Sequence, residues 1–248
     1  MTQYLFEFVG TLVLVLLGDG VCAATSLNKS KAKGAGWVVV ALGWGLAVMM
    51  GVLIAGPVSG AHLNPAVTLG LAIAGTFPWA SVCGYIVAQM LGGFVGAWLV
   101  WVFYKDHYKA TADEPDTMLG TFCTAPAIAN PWRNFLCEAI ATCVLVFVIL
   151  AIGFSGNAFQ IGPVTASTGA LGAWPVTCLI MSIGMSLGGA TGYALNPARD
   201  LSPRCAHAVL PIAGKRDSDW GYIWVPVVGP LAGAALAAAL YLLVFPAA

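Results

Sequence analysis

Ser59-Gly60-Ala61-His62-Leu63-Asn64-Pro65-Ala66-Val67-Thr68 returns, altered, as Thr191-Gly192-Tyr193-Ala194-Leu195-Asn196-Pro197-Ala198-Arg199-Asp200. Gly, Leu, Asn, Pro and Ala hold the same places in both copies. One Asn-Pro-Ala alone is a weak signal, because tripeptides recur by chance. Two copies, each preceded by Gly-x-x-Leu and set in apolar sequence, imply a duplicated chain. An Asn at the N-cap accepts a backbone N–H with its side-chain oxygen, and Pro fits at the first helical position, where that N–H lacks a partner anyway. Asn64-Pro65-Ala66 and Asn196-Pro197-Ala198 therefore read as two helix starts.

The setting of these starts is a membrane. The chain is 60% hydrophobic and 8% charged, with mean hydropathy +0.89, whereas about 25% of residues are charged in a typical soluble domain. Ten basic and ten acidic residues cancel, which leaves no electrostatic footprint for nucleic acid. Thirty glycines suit helices that approach closely in lipid. Seven scattered cysteines show no metal-ligand spacing, and their odd number argues against a disulfide framework, so they read as small packing residues. The N-terminal run lacks the basic residues of a cleaved leader and is interrupted by Glu7, so it is expected to be a retained span.

Crossing about 30 Å of hydrocarbon takes about 20 helical residues. Apolar stretches at roughly 4–27, 36–56, 79–104, 133–154, 170–190 and 221–245 are long enough. The stretches after the two Asn-Pro-Ala motifs, roughly 64–74 and 196–210, are too short to cross and should dip in and return. The expected fold class is thus all-α, with six transmembrane helices and two re-entrant half-helices in a single domain over residues 1–248. Repeat 1 covers about 1–104, a connecting loop about 105–132, and repeat 2 about 133–248. Glu7-x-x-x-Thr11 matches Glu138-x-x-x-Thr142, with Glu7 57 residues before Asn64 and Glu138 58 before Asn196. Three spans per half invert the second copy, which places a site at the midplane between the halves.

Two half-helices starting from opposite faces would meet head to head near the bilayer centre. Each Asn is expected to keep its amide NH₂ for a passing oxygen, and two positive dipole ends disfavour cations there. Gly60 and Gly192 permit the non-helical turn before each Asn. The carbonyls of Gly60, Ala61, His62, Gly192, Tyr193 and Ala194 require a water-filled cavity at that depth. Carbonyl acceptors beside Asn donors suit a small molecule that both donates and accepts, such as water, glycerol or a related polyol. Arg199, ionisable and deep in apolar sequence, is a functional candidate. Asp200 complements the helix dipole. Glu7 and Glu138 are expected to accept backbone N–H groups of their own half's re-entrant loop, as structural support. His62 reads as a pore-lining or loop-packing group, since no second metal ligand is spaced to join it. No cofactor or metal is expected. Asp19 has no role derivable from sequence.

These motifs, with Gln89 and Gly229-Pro230, make the chain similar to the major intrinsic protein family of aquaporins and aquaglyceroporins over essentially its whole length; aquaporin selectivity is itself a standard illustration of pore chemistry. Asn-Pro-Ala-Arg-Asp resembles the glycerol-facilitator branch, in which Asp follows the arginine. The resemblance implies a selectivity filter of Trp44, Gly184, Tyr193 and Arg199. Where water-selective members place a histidine, Gly184 is expected to leave a vacant site and a wider aperture. Trp44 and Tyr193 would form an aromatic wedge for a polyol's carbons while Arg199 donates to its hydroxyls. Tyr193 replaces the phenylalanine common in bacterial glycerol facilitators, and its hydroxyl either adds a solute partner or narrows the opening.

The implied activity is passive passage of glycerol and other small uncharged solutes, with water also permeating. A water-selective channel and a coupled secondary transporter are the rivals, and no nucleophile–base constellation suggests an enzyme. The resemblance further implies a homotetramer in the lipid bilayer of the cell membrane, with cytoplasmic termini. The loop lysines Lys29, Lys31, Lys33 and Lys215 and Arg216 point the other way, because positive charge favours the cytoplasmic side.

Overall fold

The computed structural model describes residues 1–155, 158–161, 164–167 and 169–245. In chain order it places α1 (Thr2–Ser26), α2 (Trp37–Ser59), α3 (Pro65–Ile73), α4 (Trp79–Phe103), α5 (Lys105–Ala110), α6 (Pro115–Leu119) and α7 (Pro131–Ser155). There follow an antiparallel hairpin, β1 (Ala158–Ile161) with β2 (Val164–Ser167), and a 3₁₀ turn (Gly169–Ala173). The chain ends with α8 (Trp174–Ser186), α9 (Pro197–Val209) and α10 (Trp224–Val244).

Six of these segments are long and apolar enough to cross a membrane, the fifth made by the 3₁₀ turn and α8 together. Their outward faces are apolar: Phe103 is 77% exposed and Leu243 81%. The charged and polar side chains Glu7, Glu138, Gln89 and Arg204 are instead buried. That inverts the arrangement of a water-soluble protein and matches a hydrocarbon surround, where polar groups must find partners inside.

The short helices α3 and α9 are the re-entrant pair. Each starts at its Asn, the N-cap oxygen of Asn64 accepting from Ala66 N and that of Asn196 from Ala198 and Arg199 N. Each packs across the duplication. α3 of the first half lies against α10 of the second, and α9 of the second lies against α4 of the first, while α2 and α8 join the halves directly.

Glycines set the tightest crossings. A Cβ on Gly92 of α4 would stand 2.3 Å from the Phe8 carbonyl oxygen of α1, and one on Gly233 of α10 would stand 2.2 Å from that of Ala139 in α7. Phe8 and Ala139 each follow the paired glutamates, so both repeats solve the same backbone approach in the same way. In lipid such contact replaces the missing hydrophobic drive between helices.

Candidate solute pore

The loops before α3 and α9 have one unusual backbone. Ala61 and Leu63 carry φ of 52° and 53°, and Tyr193 and Leu195 carry 40° and 57°, beside the left-handed Gly60 and Gly192. Each left-handed non-glycine residue costs roughly 1–2 kcal/mol, so the loops persist only because their surroundings hold them. Glu7 does so in the first half. Its Oε1 accepts from Ser59 Oγ (2.6 Å) and His62 N (2.9 Å), and its Oε2 from Leu63 N (2.7 Å) and Gln89 Nε2 (2.7 Å). Glu138 does the same with Thr191 Oγ1 (2.6 Å), Ala194 N and Leu195 N (both 2.9 Å). Thr11 and Thr142, the partners in the matched Glu-x-x-x-Thr elements, are buried hydroxyls without a hydrogen bond among the described residues.

The two loops brace each other where the halves meet. Asn64 Nδ2 donates to the Leu195 carbonyl (2.9 Å), and Asn196 Nδ2 donates to the Leu63 carbonyl (2.8 Å). The expectation that each amide keeps both N–H groups for a solute is therefore corrected. Leu63 and Leu195 are 2% and 3% exposed, and a buried carbonyl needs a donor. One N–H of each Asn meets that need, leaving one for a passing oxygen.

A cavity of about 220 Å³ runs past both Asn side chains. Its polar lining carries Gly60, Ala61, His62, Tyr193 and Ala194, together with Arg199. Among the described residues no donor reaches the carbonyls of these five loop residues or of Gly192. Gly192 itself does not line the cavity; a Cβ there would press on Thr124 at 3.1 Å. The rest of the lining is largely aliphatic, with Val48, Val52, Leu145, Ile149 and Ile180 among its residues. The lining thus combines polar and aliphatic groups. His62 serves both roles considered for it, lining the cavity while its ring packs on Phe77 (4.4 Å) and Tyr85 (4.8 Å) and its Nδ1 meets Thr68 Oγ1 at 3.1 Å.

Trp44, Tyr193 and Arg199 all line the cavity, with the Arg199 guanidinium carbon 4.0 Å from the Trp44 ring centroid, in cation–π range. Gly184 does not line the cavity. Its expected vacancy is taken by the Tyr193 ring, since a Cβ on Gly184 would lie 2.9 Å from Tyr193 Cζ. The missing Cβ lets the ring sink into the α2–α8 seam, against the edge of Trp37, whose Nε1 donates to the Gly184 carbonyl (2.7 Å). The Tyr193 hydroxyl is buried and unpartnered among the described residues, so it offers nothing to a solute.

Asp200 does more than complement a dipole. Oδ2 accepts from Thr124 N and Oγ1 (2.7 and 2.6 Å), while Oδ1 accepts from Arg204 Nε and Nη2 (3.0 and 2.9 Å). Arg204 is wholly buried and also donates to the Thr124, Ser218 and Asp219 carbonyls. This pair fastens the connecting loop and the last loop onto α9. Sequence reading passed over Arg204; its i,i+4 spacing from Asp200 was the available signal. Further out, Lys33 approaches Glu114 at 3.8 Å and Arg216 pairs with Asp116, and the Asn28 amide holds the Glu114 carboxyl below its ordinary range. Among the described residues no group of three or more metal-ligating side chains occurs.

Known proteins share this architecture. The family model described as Major intrinsic protein matches residues 1–241. The chain is 53% identical to a probable glycerol uptake facilitator protein of Thermotoga maritima, over 97% of this chain and 98% of that one. It is 55% identical to glycerol uptake facilitator protein 3 of Lactiplantibacillus plantarum, over 96% and 95%. The X-ray structure of the aquaglyceroporin from Plasmodium falciparum superposes with a TM-score of 0.80 at 32% identity, covering 96% of this chain and 94% of that one. With the family model spanning nearly the whole length and both Asn-Pro-Ala loops braced in register, the chain belongs to the major intrinsic protein family.

Proposed function

We propose that the protein is a passive channel for glycerol and other small uncharged solutes, that water also permeates it, and that ions and protons are excluded. The observation that carries this reading is the mixed lining of the cavity: loop residues with unpartnered carbonyls, the two Asn side chains and Arg199 together with aliphatic side chains. Each hydroxyl of glycerol both donates and accepts, so the polar groups match its oxygens while the aliphatic side chains and Trp44 take its carbons. The Arg199 charge and two facing helix N-termini disfavour cations at the centre. The relatives' names, glycerol uptake facilitators at 53% and 55% identity, support the same solute. Of the carboxylates that a coupled transporter could use to bind and release its ion, Glu7 and Glu138 are occupied by four and three donors.

The site residues proposed for selection are Trp44, Tyr193 and Arg199, with Gly184 making room for the tyrosine. Residence in the cell membrane, cytoplasmic termini and a homotetramer with one pore per subunit rest on the family resemblance. Swelling of proteoliposomes in a glycerol gradient tests the activity; water flow without glycerol flow defeats it. Protease accessibility of N-terminal tags on intact cells tests the orientation, and an external N-terminus reverses it.

A further inference from the structure

Trp37 opens α2 and is 42% exposed, the profile of an aromatic anchor at a membrane interface. Its contacts run inward. The last carbonyls of a helix lack donors within that helix. In α8 the Ile183 carbonyl still accepts from Leu187 N at 2.8 Å, but the next rung, Gly188 N to the Gly184 carbonyl, is not made among the described residues. Gly184 is buried, and a buried carbonyl needs a partner. The Trp37 indole supplies it, with Nε1 donating at 2.7 Å.

That bond fixes the indole where it also meets Tyr193. The two rings stand edge to face, with centroids 5.7 Å apart and planes at 78°, an arrangement that aromatic quadrupoles favour. The floor beneath them is glycine. A Cβ on Gly184 would lie 2.9 Å from Tyr193 Cζ, and one on Gly188 would lie 2.6 Å from Tyr193 Cδ1 and 2.8 Å from Trp37 Cζ2. Trp37, Ala41 and Trp44 follow the i, i+4, i+7 spacing of a single face of α2. Trp44 and Tyr193 line the cavity, whereas Trp37 does not. The indole therefore touches the Tyr193 ring from outside the cavity, and it occupies the space into which that ring would otherwise retreat.

We propose that Trp37 is a positioning residue for solute selection: tethered to the Gly184 carbonyl, its indole holds the Tyr193 ring at a fixed depth in the cavity lining and so sets the largest polyol that passes. This rests on the channel reading above. A residue with only a structural role would change the passage of all solutes together, whereas a residue that sets the depth of Tyr193 changes their ratio.

The test uses full-length protein in vesicles of neutral lipid, with swelling measured in matched gradients of glycerol and of the four-carbon polyol erythritol. Trp37→Ala opens room behind the Tyr193 ring, so the erythritol-to-glycerol permeability ratio should rise about threefold or more, the order expected when an edge-to-face aromatic contact is lost. Trp37→Phe keeps a ring without its N–H tether and should shift the ratio the same way by less, which preserves the test if the alanine variant folds poorly. Trp79→Ala, which removes a likewise exposed indole from the first residue of α4, should leave the ratio unchanged. Tyr193→Ala should itself raise the ratio, and adding Trp37→Ala to it should change nothing more. A wild-type ratio in both Trp37 variants overturns the inference, as does an equal shift in Trp79→Ala, which marks general anchoring. A further rise in the double variant also overturns it, because Trp37 would then act by a route other than Tyr193. Absence of glycerol flux in the wild type would instead remove the channel reading itself.

Discussion

Replacing Glu7 by Gln keeps the side chain's shape and removes its charge and one acceptor. Glu7 accepts four hydrogen bonds, two of them from the backbone N–H groups of His62 and Leu63. A glutamine amide can face Leu63 N and Gln89 Nε2 with its oxygen. Its NH₂ then confronts His62 N–H, although the Ser59 hydroxyl can turn to accept. One buried N–H is left without a partner, costing about 1–3 kcal/mol. The remaining bonds lose their charge assistance, which roughly halves their strength. Together these come to about 2–5 kcal/mol, all of it acting on a loop that already holds Ala61 and Leu63 in left-handed conformations. The braced state should lose at least tenfold in population against alternatives. Glycerol flux per protein in stopped-flow swelling should fall about tenfold, and the detergent-solubilised protein should unfold at lower temperature. Glu138→Gln should do the same to the second loop, more mildly, since three donors rather than four are involved. Wild-type flux and unfolding temperature in Glu7→Gln would refute the claim that this carboxylate supports the pore loop.

Arg199→Val removes the positive group that lines the constriction, so proteoliposomes under a pH gradient should show proton entry above the wild type; an unchanged proton barrier would shift the exclusion role to the Asn pair. Arg204→Met leaves Asp200 buried without its cation, a loss of about 3–5 kcal/mol, to be read as reduced yield and thermal stability. Full stability there would mean that Thr124 alone satisfies Asp200. Tyr193→Phe deletes a buried hydroxyl that has no partner among the described residues and should raise thermal stability by about 1 kcal/mol; a clear destabilisation would mean that the hydroxyl is hydrogen-bonded.

Much of the pore was legible in the sequence because the rules involved are local. Hydropathy over about 20 residues marks a span wherever it lies, and Asn-Pro marks a helix start whatever packs around it. Glu7 and Glu138 could be paired with loops because duplication showed the same residue at nearly the same spacing twice. Gly184 was harder. A glycine's empty space has no owner in sequence, and here the Tyr193 ring claims it. Arg204 was passed over for a similar reason: its acceptors Thr124, Ser218 and Asp219 sit in two separate loops.

Sequence by itself determined the membrane setting, the count of spans, the two capped half-helices and the positions where the copies differ, Val67-Thr68 against Arg199-Asp200 and Ala61 against Tyr193. Tertiary structure alone decided that each Asn shares its amide between the pore and the opposite loop, that each half-helix packs on the other repeat, and that the Asp19 carboxyl is buried without a hydrogen bond among the described residues. The physical reason is the reach of the interactions. Burial of an apolar run and capping of a helix are satisfied by near neighbours in the chain. A buried donor or charge accepts any partner of suitable chemistry, and only the packed fold selects which one comes within hydrogen-bond distance.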